Sequence, residues 1–195
     1  RFLGHKKDKA FKKRNDRPLL DELIQDKQLP LLYFCFSRKL CERKSTTEAK
    51  FRHLLSKEEK EKVSEVWEKG KKEFAFEDRR GPMQSLKKQV FSGIAAHHAG
   101  MLPLHKEMVE RLFTRGLLKV LYTTETFAMG INMPARAVIF DSLMKFDGIE
   151  FDYMRTRDYL QMAGRAGRLG MDDEGLVFSV LTYDDVLDAP VHRMM

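Results

Sequence analysis

The sequence LLYFCF, residues 31–36, decides the fold, because six apolar side chains follow one another without a polar break. A strand of this kind is apolar on both faces, which is typical of a strand buried inside a parallel sheet. Four shorter runs follow along the chain: GIAA at 93–96, KVLY at 119–122, AVIF at 137–140 and LVFSV at 176–180. We expect each run to form a strand of the same sheet.

Helical patterns lie between most of these strands. Pro18 suits the first turn of a helix, and leucines recur at helical spacing directly after it. Residues 104–114 place apolar side chains near one face after Pro103, and residues 158–162 form a further helical segment. Strands that alternate with helices predict an α/β fold with an open, mostly parallel sheet.

A charged segment, residues 42–90, breaks this alternation, because Lys and Glu dominate it and little strand pattern is present. Within it, Ser56 and Glu59 form a capping box that predicts the start of a helix. We interpret the segment as a helical insertion or a lengthened crossover between the first two strands. Trp67 stands alone in this charged helix and is expected in its core, rather than as a platform on which bases stack.

The composition of the 195 residues, with 43% hydrophobic and 33% charged residues, is that of an ordinary globular protein. It excludes a chain disordered throughout, and the longest apolar run is far shorter than the ~20 residues that cross a membrane. The two cysteines cannot form a disulfide framework and no secretory segment is present, so we expect the cytoplasm, a reducing compartment. Because the first residue is Arg1, we expect a piece of a longer protein.

The net charge of +7 is concentrated at the amino terminus. Residues 1–15 contain seven basic residues and one acidic residue, whereas the other 180 residues contain 29 basic and 28 acidic ones. Such a run is usually a solvated linker and less often an arm that binds phosphates. We therefore divide the chain into a basic arm or linker, residues 1–16, and one domain, residues 17–195. Bulk charge alone does not identify a partner.

The segment QMAGRAGR, residues 161–168, is the most informative for chemistry. Arg165 and Arg168 are three residues apart, and we expect one helical turn to point both the same way. Gly164 and Gly167 remove side chains, so that a nucleotide phosphate or another backbone can come close. This pattern suits the stabilisation of a transferring phosphoryl group. The alternative is a helix end with surface arginines and a glycine cap.

Four segments, in this order along the chain, resemble motifs of the Ski2-like branch of superfamily 2 helicases. Residues 34–39 (FCFSRK) resemble motif IV, and residues 97–103 (HHAGMLP) match the segment after the second strand of the second RecA-like domain. Residues 123–136 (TTETFAMGINMPAR) are similar to motif V, and residues 161–168 to motif VI. The resemblance implies a RecA-like α/β sheet with helices on both faces and a charged helical insertion.

The resemblance covers the second RecA-like domain only. The sequence contains neither the phosphate-binding loop G-x-x-x-x-G-K-[ST] nor the acidic D-E-x-H box that holds Mg²⁺. In the family both belong to the first RecA-like domain, which is expected upstream of Arg1. The chain is therefore expected to be half of an active site for ATP and Mg²⁺, and to be inactive when isolated.

The resemblance also assigns roles around the nucleotide. It implies that Arg165 and Arg168 reach the γ-phosphate of ATP across the cleft between the two domains, and that Gln161 helps to position them. It implies that Gly130 and Asn132 lie on the ribose and phosphate side of the nucleotide.

A second set of residues is implied to hold a nucleic-acid strand by its phosphates, without reading bases. These are Ser37, Arg38, His98, Gly100 and Thr124. Two alternatives stay open: Ser37 caps the helix that follows its strand, and His97 and His98 form a metal pair. Because no third or fourth ligand has a usable spacing, we favour hydrogen bonding at the strand end over zinc, and we predict no metal site.

The motif V wording resembles the RNA-processing Ski2 and Mtr4 group, so RNA is favoured over DNA, although Leu169 stands where that group commonly has arginine. Three alternatives stay open: a catalytically inactive helicase-like scaffold, a Hel308-type DNA helicase, and a plain nucleic-acid-binding module that uses the basic arm. The last does not explain the intact motif VI. No membrane partner is expected, and the oligomeric state does not follow from the sequence.

A β-hairpin is predicted within residues 143–154, because Asp147-Gly148 suits a two-residue turn. Phe146, Ile149 and Phe151 flank this turn. Ski2-like helicases have a hairpin here that separates the strands of a duplex, which implies an exposed apolar tip. The alternative is a surface hairpin whose aromatic side chains pack back on the sheet.

Overall fold

The computed structural model of the chain describes residues 17–125, 133–146, 149–182 and 185. The helices and strands of these residues follow one another in the order predicted from the sequence. They are α1 (Arg17–Gln25), β1 (Leu31–Phe34), α2 (Arg38–Phe51), α3 (Lys57–Phe74), α4 (Gly81–Val90), β2 (Ile94–His97), α5 (Pro103–Thr114), β3 (Val120–Thr123), β4 (Ala137–Phe140), β5 (Met144–Phe146), β6 (Phe151–Tyr153), α6 (Thr156–Ala163) and β7 (Leu176–Ser179).

The main sheet has five parallel strands in the order β2-β3-β1-β4-β7. The central strand β1 pairs with β3 on one side and with β4 on the other, so that Leu31 lies opposite both Val120 and Ala137. Every residue of β1, β2, β3 and β4 is buried. The prediction of an α/β fold with a mostly parallel sheet is confirmed.

Both faces of the sheet are covered, because successive side chains of a strand point to opposite sides. Leu32 and Phe34 belong to a core with apolar residues of α3, α4, α5 and α6. Leu31 and Tyr33 belong to a second core with residues of α1 and α2. The prediction of helices on both faces is therefore confirmed.

The charged segment 42–90 is helical, and with the start of α2 it forms the long connection from β1 to β2. The capping box is confirmed at the start of α3: the Glu59 N–H donates to Ser56 Oγ, and the Ser56 N–H donates to the Glu59 carboxylate. The boundary between a basic arm and the domain stays a prediction, because residues 1–16 lie outside the described residues.

Trp67 forms the centre of the packing beneath α3 and is 0% exposed. Its indole Nε1 donates to Asp78 Oδ2 over 2.9 Å, and Lys71 and Lys87 lie within 2.9 and 2.6 Å of the same carboxylate. These three donors hold the pKa of Asp78 well below its usual value. Trp67 is therefore a core residue, as predicted.

The predicted hairpin is present as the antiparallel pair β5–β6, but its register differs from the prediction. A two-residue turn at 147–148 requires Phe146 opposite Ile149, whereas Phe146 lies opposite Phe151. The rings of these two phenylalanines contact each other across the strands, at 5.3 Å between centroids. Such cross-strand pairs stabilise one register over another. Asp147 and Gly148 themselves lie outside the described residues.

Candidate functional site

The predicted site residues that the structure describes lie at two opposite edges of the sheet. Because all five strands are parallel, their carboxyl ends share one edge and their amino ends share the other. The strands are four residues long, so the two edges are separated by roughly 13 Å. We refer to them as the carboxyl edge and the amino edge.

The carboxyl edge brings together the residues predicted to bind nucleic acid. Ser37 and Arg38 follow β1, His98 and Gly100 follow β2, and Thr124 follows β3, and these three strands are neighbours in the sheet. An open cavity of about 300 Å³ lies here, lined by Cys35, Phe36, Ser37, Arg38, Ala99, Thr124, Glu125, Lys145 and Phe146. Ligands of open α/β sheets bind in such crevices at the carboxyl ends of strands.

Ser37 is the N-cap of α2, because the N–H of Leu40 donates to its Oγ over 3.1 Å. The capping alternative for Ser37 is therefore confirmed. Capping uses the hydroxyl as an acceptor and leaves its own O–H as a donor on an exposed residue. A cap and a phosphate contact are thus compatible at this position.

His97 and His98 each meet a carboxylate. Nε2 of His97 lies 2.7 Å from Glu110 Oε1, and Nε2 of His98 lies 3.0 Å from Glu42 Oε1. Burial lowers the pKa of His97, and Glu110 only partly opposes this effect. The predicted hydrogen-bonding role at the strand end is confirmed, and among the described residues no group of three or more His, Cys, Asp or Glu is arranged to hold a metal ion.

Gly100 allows the carboxyl edge to pack closely. A Cβ atom at this position would lie 3.1 Å from Cδ of Arg38 and 3.3 Å from Nδ1 of His98. The imidazole of His98 is only 2% exposed, so it supports this surface from beneath. The absence of a side chain at Gly100 therefore lets the exposed Arg38 lie across the turn after β2.

Lys145, which the sequence did not single out as a site residue, connects three elements at the carboxyl edge. Its Nζ lies 2.8 Å from Glu125 Oε2, after β3, and 2.9 Å from Asp158 Oδ2, in the first turn of α6. Burial opposes the charge of Lys145, but the two carboxylates outweigh burial and raise its pKa. Lys145 thereby connects the hairpin strand β5 to the segment that resembles motif V and to α6, the helix that leads into the segment that resembles motif VI.

The tip of the hairpin is exposed beside the cavity. Phe146 is 53% exposed, Ile149 89% and Phe151 60%. The two aromatic rings contact each other, and they do not join either core of the sheet. This geometry favours the exposed tip over the alternative in which the aromatic side chains pack back on the sheet.

The amino edge contains the arginines. The N–H of Ala135, just before β4, donates to the carbonyl of Arg165 over 2.9 Å, and the N–H of Gly167 donates to the carbonyl of Ala135 over 2.7 Å. These bonds form a parallel bridge between Ala135 and Ala166. The end of the segment that resembles motif V therefore lies directly against the segment that resembles motif VI.

The prediction that one helical turn holds both arginines is wrong. The helix α6 ends at Ala163, so Arg165 and Arg168 lie in the irregular segment that follows it. The backbone of this segment pairs with Ala135 instead of continuing the helix, and Gly167 has a positive φ of 88° that an L side chain rarely adopts.

Arg168 is held by a carboxylate from its own loop. Its Nε and Nη2 donate to Oδ2 and Oδ1 of Asp172, each over 2.8 Å, and its backbone N–H donates to Oδ2 over 2.9 Å. The guanidinium lowers the pKa of Asp172 to about 2, and Asp172 raises the pKa of Arg168. Sequence reasoning missed Asp172, because a lone acidic residue in a loop carries no pattern of its own.

The structure describes only some of the other residues that are predicted to bind the nucleotide. Gln161 is exposed on the last turn of α6, Gly164 is its exposed C-cap, and Arg165 is half-buried. Gly130 and Asn132 lie outside the described residues, so their predicted roles stay predictions.

Comparison with known proteins gives the family. The family described as "Helicase conserved C-terminal domain" matches residues 48–170. The chain belongs to this family. It is 44% identical over 171 residues to the DExH-box ATP-dependent RNA helicase DExH11 of Arabidopsis thaliana, an alignment that covers 87% of this chain and 12% of that protein.

Two human relatives support the same assignment. The chain is 41% identical over 167 residues to Exosome RNA helicase MTR4, covering 85% of this chain and 16% of the relative. It is 41% identical over 178 residues to Superkiller complex protein 2, covering 91% of this chain and 14% of the relative. The resemblance to the second RecA-like domain of Ski2-like helicases is therefore confirmed.

The helicase domain described here spans between 12% and 16% of the length of these three relatives. Within the described residues, none of the helices combines the length and the apolar character that a membrane crossing requires.

Proposed function

We propose that this chain is the second RecA-like half of an ATP-dependent RNA helicase. In this proposal the amino edge supplies Arg165 and Arg168 to the γ-phosphate of ATP, and the carboxyl edge holds a strand of RNA. The first RecA-like domain of the same protein supplies the phosphate-binding loop and the ligands of Mg²⁺. We also propose an intracellular location, because both cysteines are free thiols.

The observation that carries the proposal is the arrangement of the amino edge. Arginine stabilises phosphoryl transfer by placing its guanidinium against the charge that develops on the phosphate oxygens. Such stabilisation is strongest when the donor is fixed before the reaction. Arg168 meets this condition, because the carboxylate of Asp172 fixes its guanidinium through two hydrogen bonds.

The carboxyl edge supports the nucleic-acid part of the proposal. The exposed hydroxyl of Ser37, the exposed guanidinium of Arg38 and the hydroxyl of Thr124 line one cavity at the ends of neighbouring strands. Hydroxyl and guanidinium donors that follow a strand contact phosphate oxygens and fix the position of a nucleic acid without selecting its sequence. RNA is proposed over DNA because two of the relatives named above, DExH11 and MTR4, are named as RNA helicases.

The decisive experiment replaces each arginine in the complete protein. We expect Arg165→Ala or Arg168→Ala to lower the kcat of RNA-stimulated ATP hydrolysis by about 10³- to 10⁵-fold, the range known for arginine fingers. ATP affinity should change much less than turnover. The matched control is Arg157→Ala, which removes an exposed arginine from α6 itself. Near-normal kcat in either arginine variant would contradict the assignment.

The isolated chain provides a second test. Without the phosphate-binding loop and Mg²⁺ ligands of the first domain, no group here holds the triphosphate in place, so we expect no significant ATPase activity. Turnover by the purified 195-residue chain above that of its own Arg168→Ala variant would contradict the division of the active site between two domains.

A further inference from the structure

We propose that Asp172 is a positioning residue for ATP hydrolysis, which fixes the guanidinium of Arg168 before ATP arrives. The inference rests on the proposed role of Arg168. It assigns a function to a carboxylate that lies outside the motif VI segment, four residues beyond its last arginine.

The first observation is the geometry of the pair. Asp172 contacts Arg168 through both carboxylate oxygens and also accepts from the backbone N–H of the same residue. The side chain of Asp172 is 6% exposed and that of Arg168 is 25% exposed, so the carboxylate lies inward and the guanidinium lies outward of it. Within the part of the chain that the structure describes, the pair uses Nε and Nη2, so the N–H groups of Nη1 stay available for phosphate oxygens.

The second observation is that the loop bearing Asp172 is closed at its base. A Cβ atom at Gly175 would lie 2.4 Å from the carbonyl carbon of Ala166 and 2.7 Å from the nitrogen of Gly167. The end of the loop, at Gly175, therefore packs against the backbone of Ala166 and Gly167, where the loop begins. The carboxylate of Asp172 is attached to a closed loop and not to a free chain end.

Arg136, the last residue of the segment that resembles motif V, attaches this loop to the sheet. Its guanidinium donates to the carbonyl of Glu174 and, through Nε over 2.8 Å, to Oε1 of Gln28. Its own carbonyl accepts from the N–H of Leu176, the first residue of β7. The loop that carries Asp172 is thus attached to the sheet where β4 and β7 begin.

These contacts explain why a carboxylate is needed at this position. A free arginine side chain loses rotamer freedom when it is fixed on a ligand. Asp172 fixes the guanidinium in advance, so that the transition state of phosphoryl transfer no longer has to order it. Removal of the carboxylate should therefore slow turnover more than it weakens ATP binding.

The test uses the complete protein with Asp172→Asn, Asp172→Glu and the control Asp173→Asn, which changes the exposed neighbouring carboxylate. We expect Asp172→Asn to lower the kcat of RNA-stimulated ATP hydrolysis about 10- to 100-fold, as a small misplacement of a catalytic group does, with little change in the KM for ATP. Asp172→Glu should recover part of the loss, because it restores the charge. Asp173→Asn should have normal kcat.

A double variant separates positioning from a general effect on the fold. If Asp172 acts through Arg168, then Asp172→Asn should cause no further loss of kcat when it is added to Arg168→Ala. An equal further loss would make Asp172 structural. Normal or increased kcat in Asp172→Asn, while Arg168→Ala is impaired, would overturn the positioning role and leave the proposed function intact. Normal kcat in Arg168→Ala would instead overturn the proposed function itself.

Discussion

The two edges of the sheet differ in how firmly their side chains are held. At the carboxyl edge, the exposed Ser37, Arg38 and Phe146 surround an open cavity, and their side chains can adjust to a ligand. At the amino edge, the loop after α6 packs against the backbone of Ala135, and Arg168 of this loop is already paired with Asp172. A nucleic-acid strand that slides needs adaptable contacts, whereas phosphoryl transfer needs a charge in a fixed place.

Two segments connect the edges. The segment that resembles motif V leaves β3 at the carboxyl edge and reaches Ala135 and Arg136 at the amino edge. The helix α6 begins beside Lys145, where Asp158 accepts from it, and ends one residue before the loop with the arginines. A chain of contacts and covalent connections therefore runs from the hairpin at one edge to the arginines at the other.

Among the variants that compare the two edges, the largest expected effect comes from adding one methyl group at the amino edge. Gly175→Ala places a Cβ atom against the backbone of Ala166, 2.4 Å from its carbonyl carbon, so the loop with Asp172 has to move. Because small displacements of catalytic groups cost about 10²-fold, we expect kcat for ATP hydrolysis to fall by about that factor. RNA binding measured without nucleotide should stay normal.

The same substitution at the carboxyl edge is the matched control. At Gly100 the added Cβ atom meets the flexible side chain of Arg38 at 3.1 Å instead of backbone. We expect Gly100→Ala to weaken RNA binding by no more than about 1 kcal/mol, or about fivefold, and to spare the ATPase of RNA-saturated protein. Equal ATPase losses in both variants would contradict the division of labour between the edges.

The hairpin gives the next largest effect. Replacing residues 146–151 with a Gly-Gly turn in the complete protein removes the exposed Phe146, Ile149 and Phe151. Stacking of a base on an aromatic ring is worth roughly 1–3 kcal/mol, so we expect duplex unwinding to slow by about tenfold or more. RNA-stimulated ATPase should be spared, because ATP is proposed to bind at the other edge.

Both activities should be measured on one preparation. The control is Phe51→Ser, which removes an exposed aromatic side chain from the end of α2, far along the chain from the hairpin. Unwinding that falls only in proportion to ATPase would show that the hairpin is structural and does not separate strands.

The sequence predicted the strands well because four of the five strands of the main sheet, β1 to β4, are short apolar runs buried on both faces. It predicted the start of α3 because the capping box of Ser56 and Glu59 is a local signal. It did not predict features that depend on contacts formed only in the folded chain. The end of α6 depends on pairing with Ala135, and the register of the hairpin depends on contact between two phenylalanine rings.

The residues of the candidate site divide in the same way into those that the sequence indicates and those that depend on the fold. The arginines and the strand-end residues lie in motifs, so the sequence indicated them. Asp172, Arg136 and Lys145 act through partners that only the folded chain brings close: Arg168, the carbonyl of Glu174, and the carboxylates of Glu125 and Asp158. No spacing in the sequence distinguishes Asp172 and Lys145 from other surface charges, and the motif that contains Arg136 does not indicate its partners.

The smallest expected effect separates the two roles of Ser37. Ser37 and Ser56 are both N-caps, accepting from the N–H of Leu40 and Glu59, so their replacement by Ala should each cost about 0.5–2 kcal/mol of unfolding free energy. Aspartate caps as well as serine does, so Ser37→Asp should keep its stability in thermal unfolding. Ser56→Asp places a carboxylate where Ser56 Oγ donates to Glu58 over 2.7 Å, so it should lose some stability, and it serves as the control for added charge alone. Only Ser37→Asp adds negative charge to the carboxyl edge, where RNA phosphates are proposed to lie, so it alone should weaken RNA binding. Equal RNA affinities of the two aspartate variants would assign Ser37 to capping alone.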